Sequence, residues 1–272
     1  MSALTISPAF LLTGFVGGIA IGLTGMGGGA VLTPVLLTLG VPPSAAVGSD
    51  LLASLFIKPV AGWVHSTAKT VRWDIVRWLT LGSVPAALAG SLLSSRLTGA
   101  GEGLLKQVIG ATLLIAAAAM LAKASISRRA TARANQAQPD GVPAQISTPT
   151  SETYAKPWQS VTLGVVGGFL VGLTSVGSGS LMVVFLTLIY PKLAPKALVG
   201  TDIVQAIPLV AAAAFGHLLT GSVRFGLTAA LLIGGIPGAY IGAMLSSGRA
   251  TRIVRPMLIT LLMATGAKLV AG

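Results

Sequence analysis

The chain has 272 residues, of which 53% are hydrophobic and 9% charged, with a mean hydropathy of +0.87. Soluble domains carry about 25% charged residues, so the composition excludes a soluble globular protein and points to an integral membrane one. There is no cysteine, which excludes disulfides, thiolate metal sites and cysteine nucleophiles. The formal net charge of +12 raises nucleic acid as a partner, but the basic residues sit mainly between apolar segments. That placement follows the positive-inside rule, and no nucleic acid is expected.

The apolar segments run to 20 residues or more, which suits helices; a β-barrel would show short alternating segments. No basic region precedes Pro8, so no cleaved signal peptide is expected. The first segment, about 8–39, is interrupted by Gly22-Leu23-Thr24-Gly25-Met26-Gly27-Gly28-Gly29. Glycine disfavours a helix by roughly 1 kcal/mol against alanine, so the helix is expected to stop there. Backbone released at membrane depth must be buried in protein or line a wet cavity. Segments follow at about 44–67, 74–95 and 103–122. The stretch 123–157 is basic and polar, with Arg128, Arg129 and Arg133, and reads as a flexible linker. Then come segments at about 158–190, 195–219, 225–247 and 251–271. The fifth is broken by Gly172-Leu173-Thr174-Ser175-Val176-Gly177-Ser178-Gly179.

The chain repeats itself. Gly14, Gly18, Gly22, Thr24, Gly27 and Gly29 match Gly164, Gly168, Gly172, Thr174, Gly177 and Gly179 at an offset of 150. At an offset of 152, Gly48-Ser49-Asp50 meets Gly200-Thr201-Asp202, His65 meets His217, and Val71-Arg72 meets Val223-Arg224. These are the only two histidines in the chain. Residues 1–122 and 158–272 therefore read as two homologous units of four apolar segments, a plan common among secondary transporters.

Loop charge orients them. With eight straight crossings, Lys69, Arg72 and the linker face one side and Lys192, Lys196, Arg249, Arg252 and Arg255 the other. If 8–39 and 158–190 instead enter and return, their limbs of roughly 11–17 residues fall short of a 30 Å core. Each unit then has three crossings, the units are inverted, and those charges gather on one side. The expected fold is all-α and polytopic, each repeat opening with a glycine-broken re-entrant hairpin. Eight kinked spans are the alternative. The termini are expected outside and the linker in the cytoplasm.

A helix restarting after a glycine turn presents free N–H groups and a positive dipole end. The limbs beginning near Ala30 and Ser180 would do so from opposite sides, making an anion site. Its expected members are Thr24, Gly27, Gly28, Gly29, Ala30, Thr174, Gly177, Ser178, Gly179 and Ser180, with Ser175 a further hydroxyl. The plainer reading is close helix packing, which suffices for Gly14, Gly18 and Gly168. Lys58, mid-segment, is expected to contact the ligand or to neutralise an acid, since charges at that depth cost at least ~2.5–3.5 kcal/mol. Asp50, Asp202 and Gln205 lie near segment starts, where the aspartates serve either as coupling groups or as helix N-caps. His65 and His217 are candidates for proton coupling or for a structural hydrogen bond. No catalytic triad, carboxylate–histidine metal cluster or phosphate-binding loop is present, so no enzyme, metal or cofactor is expected.

The break Gly25 to Gly29 followed by Pro34, the Gly48-Ser49-Asp50 start, the histidine about fifteen residues on and the Val71-Arg72-Trp73 turn resemble the TauE/SafE sulfite exporter family of bacterial transporters. The copies around Gly177-Ser178-Gly179, Gly200-Thr201-Asp202 and His217 resemble it too. The resemblance implies a multi-pass protein of the bacterial inner membrane moving sulfite, sulfonates such as sulfoacetate, or other organosulfur anions. It also implies serine as the common third residue of the helix start, where this chain has Asp50 and Asp202. The expected function is a proton-coupled secondary transporter of a small anion held between two broken-helix tips, with the lipid bilayer and a second copy as partners. A passive anion channel and a membrane scaffold subunit are the alternatives.

Overall fold

The computed structural model describes residues 7–24, 28–65, 71–97, 101–136, 156–191, 193, 195–245 and 248–271. Among them there is no strand. Helix α1 (Pro8–Thr24) is followed by a single 3-10 turn (Gly28–Ala30) and α2 (Leu32–Thr38). Then come α3 (Pro43–His65), α4 (Trp73–Arg96), α5 (Glu102–Gln136), α6 (Pro157–Thr174), α7 (Ser180–Ile189), α8 (Pro195–Leu219), α9 (Phe225–Met244) and α10 (Gly248–Ala271). Helices α1, α3, α6 and α8 open on proline, whose fixed φ suits the first helical position and whose missing N–H is not needed there.

Among the described residues, four stretches are long and apolar enough to cross a membrane: Trp73–Arg96, Glu102–Ala122, Ala197–Leu219 and Phe225–Met244. By contrast α7 has 10 residues, about 15 Å of helix. Its far end returns to where α6 begins. Tyr190 Oη accepts a hydrogen bond from the Lys156 backbone N–H at 2.8 Å and shares one of 2.6 Å with Ser160 Oγ. Thus α6 and α7 form a helical hairpin pinned at its open end by one buried tyrosine.

The helices meet along glycines. A Cβ added at Gly14, Gly18 or Gly22 of α1 would fall under 3.0 Å from backbone of α9 at Leu231, Gly235 or Ala239. One added at Gly164, Gly168 or Gly172 of α6 would do the same against Leu79, Ser83 or Ala87 of α4. The two stripes are 150 apart in number and their partners 152 apart, the separations that relate the sequence motifs. Helix α5 meets α10 at a third such crossing, Gly110 against Gly266. The packing role read for Gly14, Gly18 and Gly168 is what the backbone approach requires.

A second pair of contacts obeys the same offset. Ser49 Oγ accepts from the Arg224 N–H at 3.1 Å, and Thr201 Oγ1 from the Arg72 N–H at 3.1 Å. The middle residue of each helix-start motif thus ties the residue that opens α9 or α4 in the other half of the chain. Arg72 also forms an ion pair of 2.7 Å with Asp74.

Two expectations need correction. Helix α5 continues to Gln136, so 123–136 is helical where the sequence reads as linker; 137–155 lies outside the described residues. Asp50 and Asp202 are not N-caps, because α3 and α8 begin seven residues earlier, at Pro43 and Pro195. Both aspartates are interior and fully buried.

Candidate functional site

The second glycine break is fully described. Helix α6 ends at Thr174, and Ser175 reverses the chain in the left-handed region at φ 59. Gly177 and Gly179 follow at φ 110 and φ 116, a region L side chains rarely enter, and α7 starts at Ser180. Gly179 is the N-cap and supplies no side chain, so the first N–H groups of α7 have no capping oxygen from it. Ser180 Oγ is buried with no hydrogen-bond partner among the described residues.

The first break differs. Gly25, Met26 and Gly27 lie outside the described residues. Gly28, Gly29 and Ala30 form the 3-10 turn, Val31 precedes α2, and α2 has only 7 residues. Gly29 abuts the Ser175 carbonyl so closely that a Cβ there would overlap it. The two breaks therefore touch. Thr24 and Thr174, expected to aid a ligand, turn their hydroxyl hydrogens onto their own helices, at Ala20 O (2.6 Å) and Leu170 O (2.7 Å).

Helix α3 supplies the charge beside this junction. The Asp50 carboxylate accepts three hydroxyl hydrogen bonds: Thr33 of α2 at 2.6 Å and Ser175 at 2.9 Å to Oδ2, and Ser54 at 3.0 Å to Oδ1. Two turns on, Lys58 Nζ donates to Ser178 Oγ at 2.8 Å. Ser175 and Ser178 belong to the same tip, so the tip is held at both of α3's charges. Lys58 is the only buried lysine or arginine among the described residues. Its ammonium has three N–H groups, and a neutral serine takes one. Asp202 of α8 is 1% exposed and close enough, with Asp50, to act on the Lys58 charge.

The remaining expected residues spread outward. Gln205, one turn after Asp202, donates through Nε2 to Ser83 Oγ of α4 at 2.8 Å, while its buried Oε1 has no partner among the described residues. His217 Nε2 lies 3.0 Å from Gly172 O, which is in the last turn of α6. A carbonyl only accepts, so Nε2 carries the hydrogen. The His65 side chain lies outside the described residues.

The structure brings together Asp50, Lys58, Ser175 and Ser178, with Asp202 nearby, and sets His217 and Gln205 apart on bonds of their own. Sequence reasoning missed Thr33, Ser54 and Ser83. Ser54 was findable as the i+4 neighbour of Asp50 on one helix face; the other two bond across elements and leave no local signal. Among the described residues no cluster of His, Cys, Asp or Glu could hold a metal ion.

A family model described as sulfite exporter TauE/SafE matches residues 10–269. The probable membrane transporter protein YjnA of Bacillus subtilis (strain 168) is 34% identical over 267 residues, covering 97% of this chain and 100% of that protein. Two further probable membrane transporter proteins of that organism match: YunE, 24% identical with 96% of each chain covered, and YdhB, 27% identical with 86% and 87% covered. No solved structure matches.

Proposed function

The chain belongs to the TauE/SafE sulfite exporter family of membrane transporters, and on that premise we propose that it is a secondary active transporter of a small organosulfur anion in the bacterial inner membrane. The substrate is sulfite or a sulfonate such as sulfoacetate, and it moves with a proton. The observation that carries this reading is the Lys58 ammonium bonded to Ser178 of the second tip, two residues before Ser180, whose buried hydroxyl has no partner among the described residues and which starts α7 without a side-chain cap. A buried cation, a hydroxyl without a partner and a helix N-terminus all favour negative charge. The anion sits there, against the first tip at Gly28 to Ala30.

The proposed frame is two inverted repeats, 1–122 and 158–272, each opening with a re-entrant hairpin. The reciprocal glycine stripes, the reciprocal Ser49 and Thr201 bonds and the Tyr190 closure of α6 on α7 support it. Anion sites at the ends of broken helices between such repeats are a recurrent transporter design.

The test is sulfoacetate flux into proteoliposomes by wild type and Lys58→Gln. Removing one partner from a buried charge interaction costs 2–5 kcal/mol, so KM should rise at least ~10-fold. An unchanged KM would remove Lys58 and the second tip from the substrate site.

A further inference from the structure

We infer that Asp50 takes up one proton with each anion, and that this carboxylate is the joint linking proton to substrate. The inference rests on the anion reading above and goes on to assign the coupling residue and its stoichiometry.

The buried charged side chains among the described residues are Asp50, Asp202 and Lys58. Two carboxylates and one ammonium sum to one net negative charge when all are ionised. An anion entering beside Lys58 deepens that negative charge in a site closed to water, and uncompensated buried charge is strongly disfavoured. A cation must therefore enter with it.

The atoms around Asp50 favour a proton. Its three hydroxyl partners lie at 2.6, 2.9 and 3.0 Å, the spacing of direct O–H···O bonds. A hydroxyl can accept as readily as it donates. A proton placed on either oxygen is therefore accommodated when one hydroxyl turns to accept it, with no heavy atom displaced.

Position selects Asp50 over Asp202. The Asp50 bonds reach α2, which follows the first break, through Thr33, and the second tip through Ser175. Three residues on, Ser178 holds Lys58. Proton and anion thus meet on one turn of backbone: both aspartates act on the Lys58 charge, and Asp50 is the one whose bonds reach both breaks.

Other groups around α3 leave Asp50 the carrier. On its own helix it faces Lys58; from α8 come Asp202 and His217, whose ring packs on Gly48. From α9 comes Arg224, tied through its backbone to Ser49, with its side chain exposed. Helices α1 and α2, the 3-10 turn and the second tip bring no titratable side chain. The charged side chains described on α4 and α5, with Arg72 before them, are not buried.

The test is calorimetric titration of the purified full chain with sulfoacetate, which has no group titrating near neutral pH, in two buffers of different ionisation enthalpy. Wild type should take up about one proton per sulfoacetate bound, because binding and protonation are reciprocally linked. Asp50→Asn should bind with no uptake and with an affinity independent of pH. Asp202→Asn and His217→Gln should keep the uptake. Binding to wild type without proton uptake overturns the inference and leaves the anion site standing. So does uptake that persists in Asp50→Asn, or that disappears in Asp202→Asn or His217→Gln. No saturable binding to wild type overturns the anion reading itself, and the inference with it.

Discussion

His217, of a residue type that suggests proton chemistry, is placed where a brace would be. Its Nε2 hydrogen satisfies the Gly172 carbonyl at the broken end of α6, and its ring packs on Gly48 where α3 passes. Replacing it by alanine leaves a buried acceptor unpaired, at a cost of about 1–3 kcal/mol. We expect His217→Ala to lower the thermal unfolding temperature in detergent and His217→Gln to recover part of the loss. The pH profile of flux should keep its shape in both. A flattened profile with normal stability would make His217 a proton carrier instead. The sequence shows the residue types of this site but not their pairing. Asp50 with Ser175, and Lys58 with Ser178, are separated by 125 and 120 positions. No spacing rule connects residues that far apart. For the same reason the two glycine breaks look equivalent in sequence, while the second bonds a lysine through Ser178 and is followed by a ten-residue helix and the first by one of seven.

At the scale of helices, the glycine stripes set how closely α1 meets α9 and α6 meets α4. Gly168 has the Ser83 backbone in the way of any Cβ, whereas Gly103 of α5 has nothing within 4 Å. Gly168→Ala should destabilise by about 1–3 kcal/mol, as overpacking does. Gly103→Ala should be neutral or stabilising by up to ~1 kcal/mol, since alanine is the better helix former. Unfolding temperatures of the pair decide it; equal shifts would mean that helix propensity and not packing governs the stripe. Tyr190→Phe tests the hairpin closure in the same assay. It removes two hydrogen bonds and should lower stability by roughly 1–3 kcal/mol, whereas no loss would mean that apolar packing alone closes α6 on α7. The elements themselves were legible: the breaks at 22–29 and 172–179 and the segment limits agree closely with the helices. Reading 123–136 as linker failed because a polar composition was equated with an unstructured chain. Alanine, arginine, lysine and glutamine are all strong helix formers, and α5 continues through them to Gln136.

For the whole molecule, the inverted arrangement makes a prediction that straight crossings do not. If 8–39 enters and returns, its two ends lie on one side of the membrane; as a single span it would separate them. The chain has no cysteine, so single substitutions report cleanly. Ser7→Cys and Thr38→Cys should both label with an impermeant thiol reagent from outside, and Lys156→Cys only after the membrane is opened. Labelling of Ser7→Cys and Thr38→Cys from opposite sides would replace the hairpins with eight kinked spans. Clustering of basic loops on one face motivates the assignment, and the short limb of α7 agrees with it.

Secondary active transport of a small organosulfur anion is decided by sulfoacetate uptake into wild-type proteoliposomes under an imposed proton gradient. Uptake should saturate with concentration and raise internal sulfoacetate above the external level until the gradient is collapsed. Uptake that never saturates and stops at equal concentrations would contradict it, and would describe a passive anion channel built on the same helices.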